Sequence, residues 1–179
     1  MKSVKLSIVR KEEITKAYII SDTHFNHANI IRYCGRPFAN VGEMNEAIVS
    51  NWNQAVGKDE TIYHLGDFGF GTNEEIKALL DRLNGIKFLH RGNHDYRRGI
   101  SAWIECGFSE VTNKEIIIGR YVLSHYPLHV GAGQINICGH IHDKELCGDF
   151  DRDTHINVSV DVTDFKPVGF DSSIGIIKL

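Results

Sequence analysis

Apolar runs and amphipathic stretches alternate through the first two thirds of the chain. KLSIVR (5–10) reads as a leading strand, and the run from Ala17 to Ser21, AYIIS, is short, continuous and β-rich, as a strand covered on both faces should be. In EMNEAIVSNWNQAV (43–56), Met44, Ala47, Ile48, Trp52, Ala55 and Val56 fall on one helical stripe. TIYHLGD follows as a strand. NEEIKALLDRL (73–83) has a cap at Thr72 or Asn73, acids in its first turn and a stop at Asn84-Gly85. IKFLHRGN is the next strand, with a short helix around Gly99 to Cys106 behind it. Strand and helix alternating in this way predict parallel crossovers and an α/β layered core.

From about Ser109 the pattern changes. SEVTNKEIIIGRYVLSH, QINICGH, HINVSVDV and SSIGIIKL are strand-like, separated by turn residues such as Asn113-Lys114 and Gly119-Arg120, and none is a strong helix. A second, more antiparallel sheet packed on the first is predicted, giving a two-sheet β-sandwich with helices outside. No linker, repeat or low-complexity segment separates the halves. At 179 residues the chain has the length of one domain with a substantial core, so residues 1–179 are read as a single domain.

Composition narrows the class. A hydrophobic fraction of 42% with 24% charged residues excludes the charge excess of disorder and the apolar runs of a membrane protein. The 23 acids outnumber the 20 basic residues, so the surface as a whole is not built to grip nucleic acid, although a local basic groove is compatible with it. MKSVKLSIVRKEE has no continuous apolar stretch or small-residue cleavage site, hence no secretory signal is read. Cys34, Cys106, Cys138 and Cys147 form no C-x-x-C pair, which fits reduced thiols in a cytoplasmic protein, each a small buried hydrophobe. Histidine, with 10 copies, is the unusual residue.

The histidines and acids gather where the apolar runs stop. Asp22 and His24 follow the first run, Asp67 the second, and Asn93, His94 and Asp95 the third; His125 ends VLSH, and His140 and His142 end ICGHIH. A strand turns residues i and i+2 to one face, so the last pair is expected to point the same way, with Gly139 letting the backbone approach something closely. In α/β sheets, sites form in the crevice outside the strand carboxyl ends. Two aspartates, one asparagine and four histidines offer seven donors, too many for one tetrahedral zinc and suited to two cations sharing a carboxylate. Asp67 is the best bridge, because a carboxylate can serve two ions roughly 3.5–4 Å apart. Mixed imidazole and oxygen donors suit divalent transition metals, manganese, iron, zinc, nickel or cobalt, without choosing among them.

D-x-H at Asp22 to His24, G-D at Gly66 to Asp67, G-N-H-D at Gly92 to Asp95, His125, and G-H-x-H at Gly139 to His142 resemble, in order, the five blocks of the calcineurin-like metallophosphoesterase superfamily. DTHFNHANII, MNEAIVSNWN, YHLGDF and SHYPL are similar to a small, uncapped bacterial and phage branch of it. The resemblance implies a four-layer α/β/β/α fold. It implies one metal on Asp22, His24 and His142, a second on Asn93, His125 and His140, and Asp67 shared between them. It makes His94 a catalytic group facing the leaving group or a phosphoryl oxygen, with Asp95 orienting or supporting that imidazole. The activity implied is hydrolysis of phosphate esters by a metal-bound hydroxide.

Substrate contacts are expected just past the first block, from Asn26, His27 and Arg36, with Asn29 and Arg32 nearby, and from Arg97 and Arg98 after G-N-H-D. The bland reading makes most of these arginines solvated surface charges. His64 and His90 are read as core or supporting groups, and Trp52 and Trp103 as core. GAGQIN lacks the third glycine of a dinucleotide loop, and no P-loop occurs. With no sizeable insert between blocks, the site favours small phosphodiesters such as cyclic nucleotides, or accessible nucleic-acid strand ends. A nuclease or phosphomonoesterase using the same donors is the alternative, and a metal-free scaffold a more distant one. Nothing marks a membrane anchor or an obligate protein partner.

Overall fold

The computed structural model describes residues 16–146 and 150–177; the predicted strand KLSIVR and Cys147 lie outside the described residues. In chain order the elements are β1 (Lys16–Ile20), α1 (Ala28–Tyr33), α2 (Val41–Ala55), β2 (Thr61–His64), α3 (Asn73–Leu80), β3 (Ile86–His90), α4 (Ile100–Cys106) and β4 (Glu110–Thr112). They continue as β5 (Ile116–Ile118), β6 (Tyr121–Leu123), β7 (Ile135–Cys138), β8 (His155–Asn157), β9 (Val168–Asp171) and β10 (Gly175–Ile177).

The larger sheet has the order β10-β9-β1-β2-β3-β4, and the smaller one β5-β6-β7-β8. β1 to β4 run parallel, as their helical crossovers require. The second sheet departs from expectation: only β5 and β6 are antiparallel, while β6, β7 and β8 are parallel. Two segments expected there, around Glu110 and SSIGIIKL from Ser172, instead extend the larger sheet, the latter as β10 in an antiparallel hairpin with β9, a strand the sequence pattern did not predict, which itself pairs antiparallel with β1. The fold is therefore the expected mixed α/β two-sheet sandwich. Among the described residues, however, the helices flank the larger sheet alone, and the outer helical layer of the four-layer arrangement has no counterpart on the smaller one.

Strand periodicity explains the two cores. In β1, Ile20 packs with Met44, Ile48 and Trp52 of α2, while Ile19 faces Tyr121, Leu123 and Ile137 of the smaller sheet. In β2, Ile62 and Tyr63 divide the same way. Both faces of the larger sheet are thus dry, and each fully buried aliphatic side chain there contributes roughly 1.5–3 kcal/mol. Trp52 and Trp103 are buried with their indole N–H groups donating to the Asn84 carbonyl at 2.9 Å and the Asp95 carbonyl at 3.0 Å. α3 begins with a reciprocal cap: the Thr72 hydroxyl accepts from the Glu75 N–H and the Glu75 carboxylate accepts from the Thr72 N–H.

The sheets are joined where their strands end. A parallel bridge pairs Ser21 with Ser159, the Ser21 N–H donates to the Val158 carbonyl, and the Asp22 N–H donates to Gly66. With the bonds from the Gly139 N–H to the His125 carbonyl and from the Val158 N–H to the Cys138 carbonyl, they hold the carboxyl ends of β1, β2, β6, β7 and β8 at one edge of the sandwich.

His64 and His90, at the ends of β2 and β3, are buried as expected of core groups. His64 accepts the Gly66 N–H on Nδ1 at 3.1 Å and places Nε2 2.9 Å from the Thr23 hydroxyl; His90 Nδ1 has no partner. Burial, followed by the nearby His125, holds His64 down to about 3 and His90 to about 4 from the ordinary 6.5. Because the folded value lies below the unfolded one, the unfolded chain takes up more protons. Their contribution to stability is therefore intact above about pH 6.5 and is lost as pH falls toward the folded values. His90→Leu is expected to lose less stability than the native chain between about pH 7 and about pH 5 in urea unfolding. An identical pH dependence in the two proteins would assign the acid sensitivity to other groups.

Candidate metal centre

Loops leaving the strand ends carry the polar residues to one point. Oxygen and nitrogen donors of Asp22, His24 and His142 lie within 4.8 Å of one another, and so do those of Asp67, His125 and His140. Asp67 stands between the groups, with Oδ2 3.6 Å from His24 Nε2 and 3.6 Å from His125 Nε2. Asn93 joins the second group, its Oδ1 3.0 Å from His125 Nε2, and the Tyr126 hydroxyl donates to the same oxygen at 3.3 Å. His94 sits at the rim: its N–H donates to Asp67 Oδ1 at 2.9 Å, and its Nε2 lies 3.9 Å from Asp67 Oδ2.

Local backbone geometry makes this convergence possible. Asp22, His24, Asp67, His140 and His142 all have positive φ, between 51° and 69°. Such left-handed non-glycine residues cost about 1–3 kcal/mol each and collect at functional sites. β7 ends at Cys138, so His140 and His142 lie beyond the strand, and strand alternation is not what aims them. The turn sends them to different groups. Gly139 leaves no room for a side chain, since a Cβ there would overlap Ser21 Oγ and Asp22 Oδ2. Gly92 is equally confined, against Asp67 Oδ1.

The cluster is rich in acceptors and poor in donors. Asp22 Oδ1 and His24 Nε2 are buried without any hydrogen-bond partner. His125 donates Nδ1–H to the Leu65 carbonyl at 2.9 Å, so its Nε2 lone pair faces the Asn93 oxygen. Burial pushes Asp67 up to about 8, with Asp22 and Asp95 adding to the effect against the single N–H from His94. Burial likewise drives His24, with His142 next to it, far below the ordinary imidazole range, and lowers His125 and His140. Neutral imidazoles and a carboxylate lacking a counter-charge are what a divalent cation satisfies, so these residues could hold metal ions.

A second layer holds the donors in place. Asp161 accepts His142 Nδ1–H at 2.7 Å and is gripped by Arg36, Nε to Oδ1 at 2.8 Å and Nη2 to Oδ2 at 3.0 Å. That bond leaves His142 Nε2 as the ligand nitrogen. The paired donors overcome burial and keep the Asp161 carboxylate below its usual range. Asp22 Oδ2 accepts from the His140 N–H at 2.9 Å and the Ser159 hydroxyl at 2.6 Å. Asp161, Ser159 and Tyr126 were not among the expected site residues: Ser159 and Asp161 fall inside the strand-like run HINVSVDV, where alternate polar positions are ordinary, and Tyr126 follows the lone His125 in SHYPL. Cys34, His142 and Asp161 form a third compact group, yet burial raises the Cys34 thiol to about 11, and Asp161 is already spent on Arg36.

Two expected roles are corrected. Arg36 is buried, 4% exposed, and donates to Asp161 and to the carbonyls of Asp22 and Thr23, so it supports the site from behind and does not reach a substrate. Asp95 does not orient His94: its carboxylate is fully buried and accepts the N–H groups of Asp67, Phe68 and Gly92 at 2.7, 3.1 and 2.8 Å. It ties the loop after β2 to the loop after β3. Asn26 is exposed but bonded to Asn45 and the Phe70 carbonyl. His27 is half-buried at the mouth, its ring 4.5 Å from Phe70 and its Nδ1 3.4 Å from His24 Nδ1. Arg97 is exposed, with its guanidinium over Phe70.

Fold and site together define a mixed α/β sandwich with a clustered set of donors for metal ions at one sheet edge. The chain belongs to the family of the uncharacterized protein MJ1445 of Methanocaldococcus jannaschii, to which it is 40% identical over 172 residues, 91% of this chain and 92% of that protein. The Gene 66 protein of Mycobacterium phage L5 is 34% identical over 86 residues, covering 46% of this chain and 41% of the phage protein. The crystal structure of the protein of unknown function AQ665 from Aquifex aeolicus is similar, with a TM-score of 0.66 and 27% identity over 86% of this chain and 95% of that one. No protein-family model matches the chain. Among the described residues no helix is long and apolar enough to cross a membrane.

Asp161→Asn keeps the side-chain size while removing the charge that His142 and Arg36 share. It is expected to weaken metal binding by the Asp22–His24–His142 group about 10–100-fold, read as one weakened step in calorimetric titration of metal-free protein. Two unaltered binding steps would make Asp161 a purely structural residue.

Proposed function

We propose that the chain is a metal-dependent phosphoesterase that hydrolyses phosphate esters, diesters in preference to monoesters, at a centre of two divalent ions. One observation carries this reading: seven donors from five strand ends meet as two groups around one shared carboxylate, with buried lone pairs left unsatisfied. Asp22, His24 and His142 would hold one ion, Asn93, His125 and His140 the other, and Asp67 both. The ions, when bound, supply an activated water near neutral pH and an electrostatic clamp on the phosphoryl oxygens.

The chain's own residues do the rest. Asp67 Oδ1 accepts the His94 backbone N–H, so the shared carboxylate also anchors the backbone from which the His94 ring projects. His94, half-buried at the rim, is placed to donate a hydrogen bond or proton to the departing oxygen. Tyr126, 43% exposed with its ring 4.3 Å from His140, walls the second group and steadies Asn93. None of the three cysteines among the described residues acts as a nucleophile in this scheme. Burial raises the Cys34 and Cys138 thiols to about 11 and about 12, and lifts Cys106 as well, which keeps all three protonated and unreactive.

Metal-free protein titrated with manganese is expected to gain hydrolysis of bis-aryl phosphate diesters and to melt at a higher temperature, since a ligand bound only by the folded chain stabilises it. His94→Asn is expected to keep its metal while losing roughly two to four powers of ten in turnover. Large metal loss in that variant would make His94 a ligand, and inert protein with a full metal complement would overturn the phosphoesterase reading.

A further inference from the structure

A small recess opens beside His94, on the side away from the two donor groups. It has a volume of about 220 Å³, with Phe70, Asn73, His94, Arg97, Arg98 and Trp103 among its lining residues and no acidic side chain among them. His94 forms the partition: its ring lies 5.3 Å from that of His24 and 5.5 Å from that of Phe70. Whatever occupies the recess therefore sits against the residue that faces the leaving group.

The two arginines differ in what they have left to offer. Arg98 is committed to the wall, donating Nε to Asn73 Oδ1 at 2.7 Å and Nη2 to the Gly71 carbonyl at 2.9 Å while lying over the Trp103 ring. Arg97 stacks its guanidinium over Phe70, 5.3 Å from the ring centroid, and among the described residues makes no ion pair or side-chain hydrogen bond. A guanidinium held by its face keeps its in-plane donors open, and that fork matches the oxygens of a phosphate. The size also discriminates. Pockets that enclose drug-sized ligands start at roughly 300 Å³, so this one takes a phosphate group with part of its ester and not a whole nucleoside.

We infer that the recess formed by His94, Arg97 and Phe70 binds a second phosphate group, one carried by the leaving side of the substrate. This rests on the phosphoesterase reading of the metal centre and gives it a substrate class: a diester within a strand that bears an adjacent phosphate, as a nucleic-acid end does. A cyclic mononucleotide has a single phosphate and leaves the recess unused.

The test compares a dinucleotide with the two dinucleotides bearing one further phosphate at either end, using manganese-loaded full-length protein and bis-aryl phosphate as a reference. One of the two phosphorylated forms is expected to show about tenfold higher kcat/KM than the parent, and R97Q to erase that gain while R97K keeps part of it. Equal turnover of all three dinucleotides, or a gain that survives R97Q, overturns the inference. Calorimetry on metal-free protein reads the same comparison as affinity, with the gain from the extra phosphate again expected to vanish in R97Q. If no ester is hydrolysed at all, including the aryl diester, the phosphoesterase reading fails, and the affinity comparison still decides for or against the phosphate recess.

Discussion

Crowding of lone pairs around Asp67 is the constraint on which the rest of the structure turns. A carboxylate 2% exposed, with imidazole nitrogens at 3.6 Å on two sides and a buried unpartnered oxygen on the nearby Asp22, is unstable by itself in a low-dielectric interior. Burying an acceptor without a donor costs about 1–3 kcal/mol. The chain concentrates several such costs in one place and adds backbone strain at five of the same residues. A bound cation would make that concentration favourable, a reading that the donor chemistry and the backbone strain both support.

The sandwich is arranged to sustain this concentration. Hydrophobic burial on both faces of the larger sheet fixes β1, β2 and β3, and the smaller sheet is held to it through the Ser21–Ser159 bridge and a shared apolar layer. Asp95 then uses a buried carboxylate to hold three N–H groups from two different loops, including that of Asp67 itself. Burial raises Asp95 to about 6 even against those three donors, a sign of how much desolvation the packing imposes there. The donors are therefore positioned by a frame whose stability comes from elsewhere, and the cluster itself is a local cost to the fold.

The donor set was legible in the sequence because a polar residue interrupting an apolar run is a local signal, and five such interruptions fall in order. The parallel β1–β3 layer was legible too, since helices of the right length lie between the strands, whereas β4 was expected in the other sheet. Strand direction in the smaller sheet was not. Its strands are three or four residues long, and nothing in Ile116–Ile118 or Tyr121–Leu123 states which neighbour will pair with which. Arg36 and Asp95 were misassigned for a related reason. Sequence proximity to a ligand block says that a residue is near the site, whereas burial and partners decide whether it faces the substrate or the frame. Arg36 turned inward because Asp161, 125 positions away, waits there, and no spacing rule spans that separation.

His140 and His142 come to the site by a route other than the one expected of them. As strand residues two apart they would share a face and converge on one ion. As residues beyond the strand, each with positive φ, they diverge: His140 toward His125 with Nδ1 3.2 Å from its Nε2, and His142 toward His24 with stacked rings 5.3 Å apart. Between them, Gly139 runs against Ser21 and Asp22, and the His140 N–H donates to Asp22 Oδ2. The same turn that separates the two imidazoles thus also holds the carboxylate of the first group. A regular strand could supply neither function, so the left-handed backbone after β7 is the local cost of placing two groups of donors side by side.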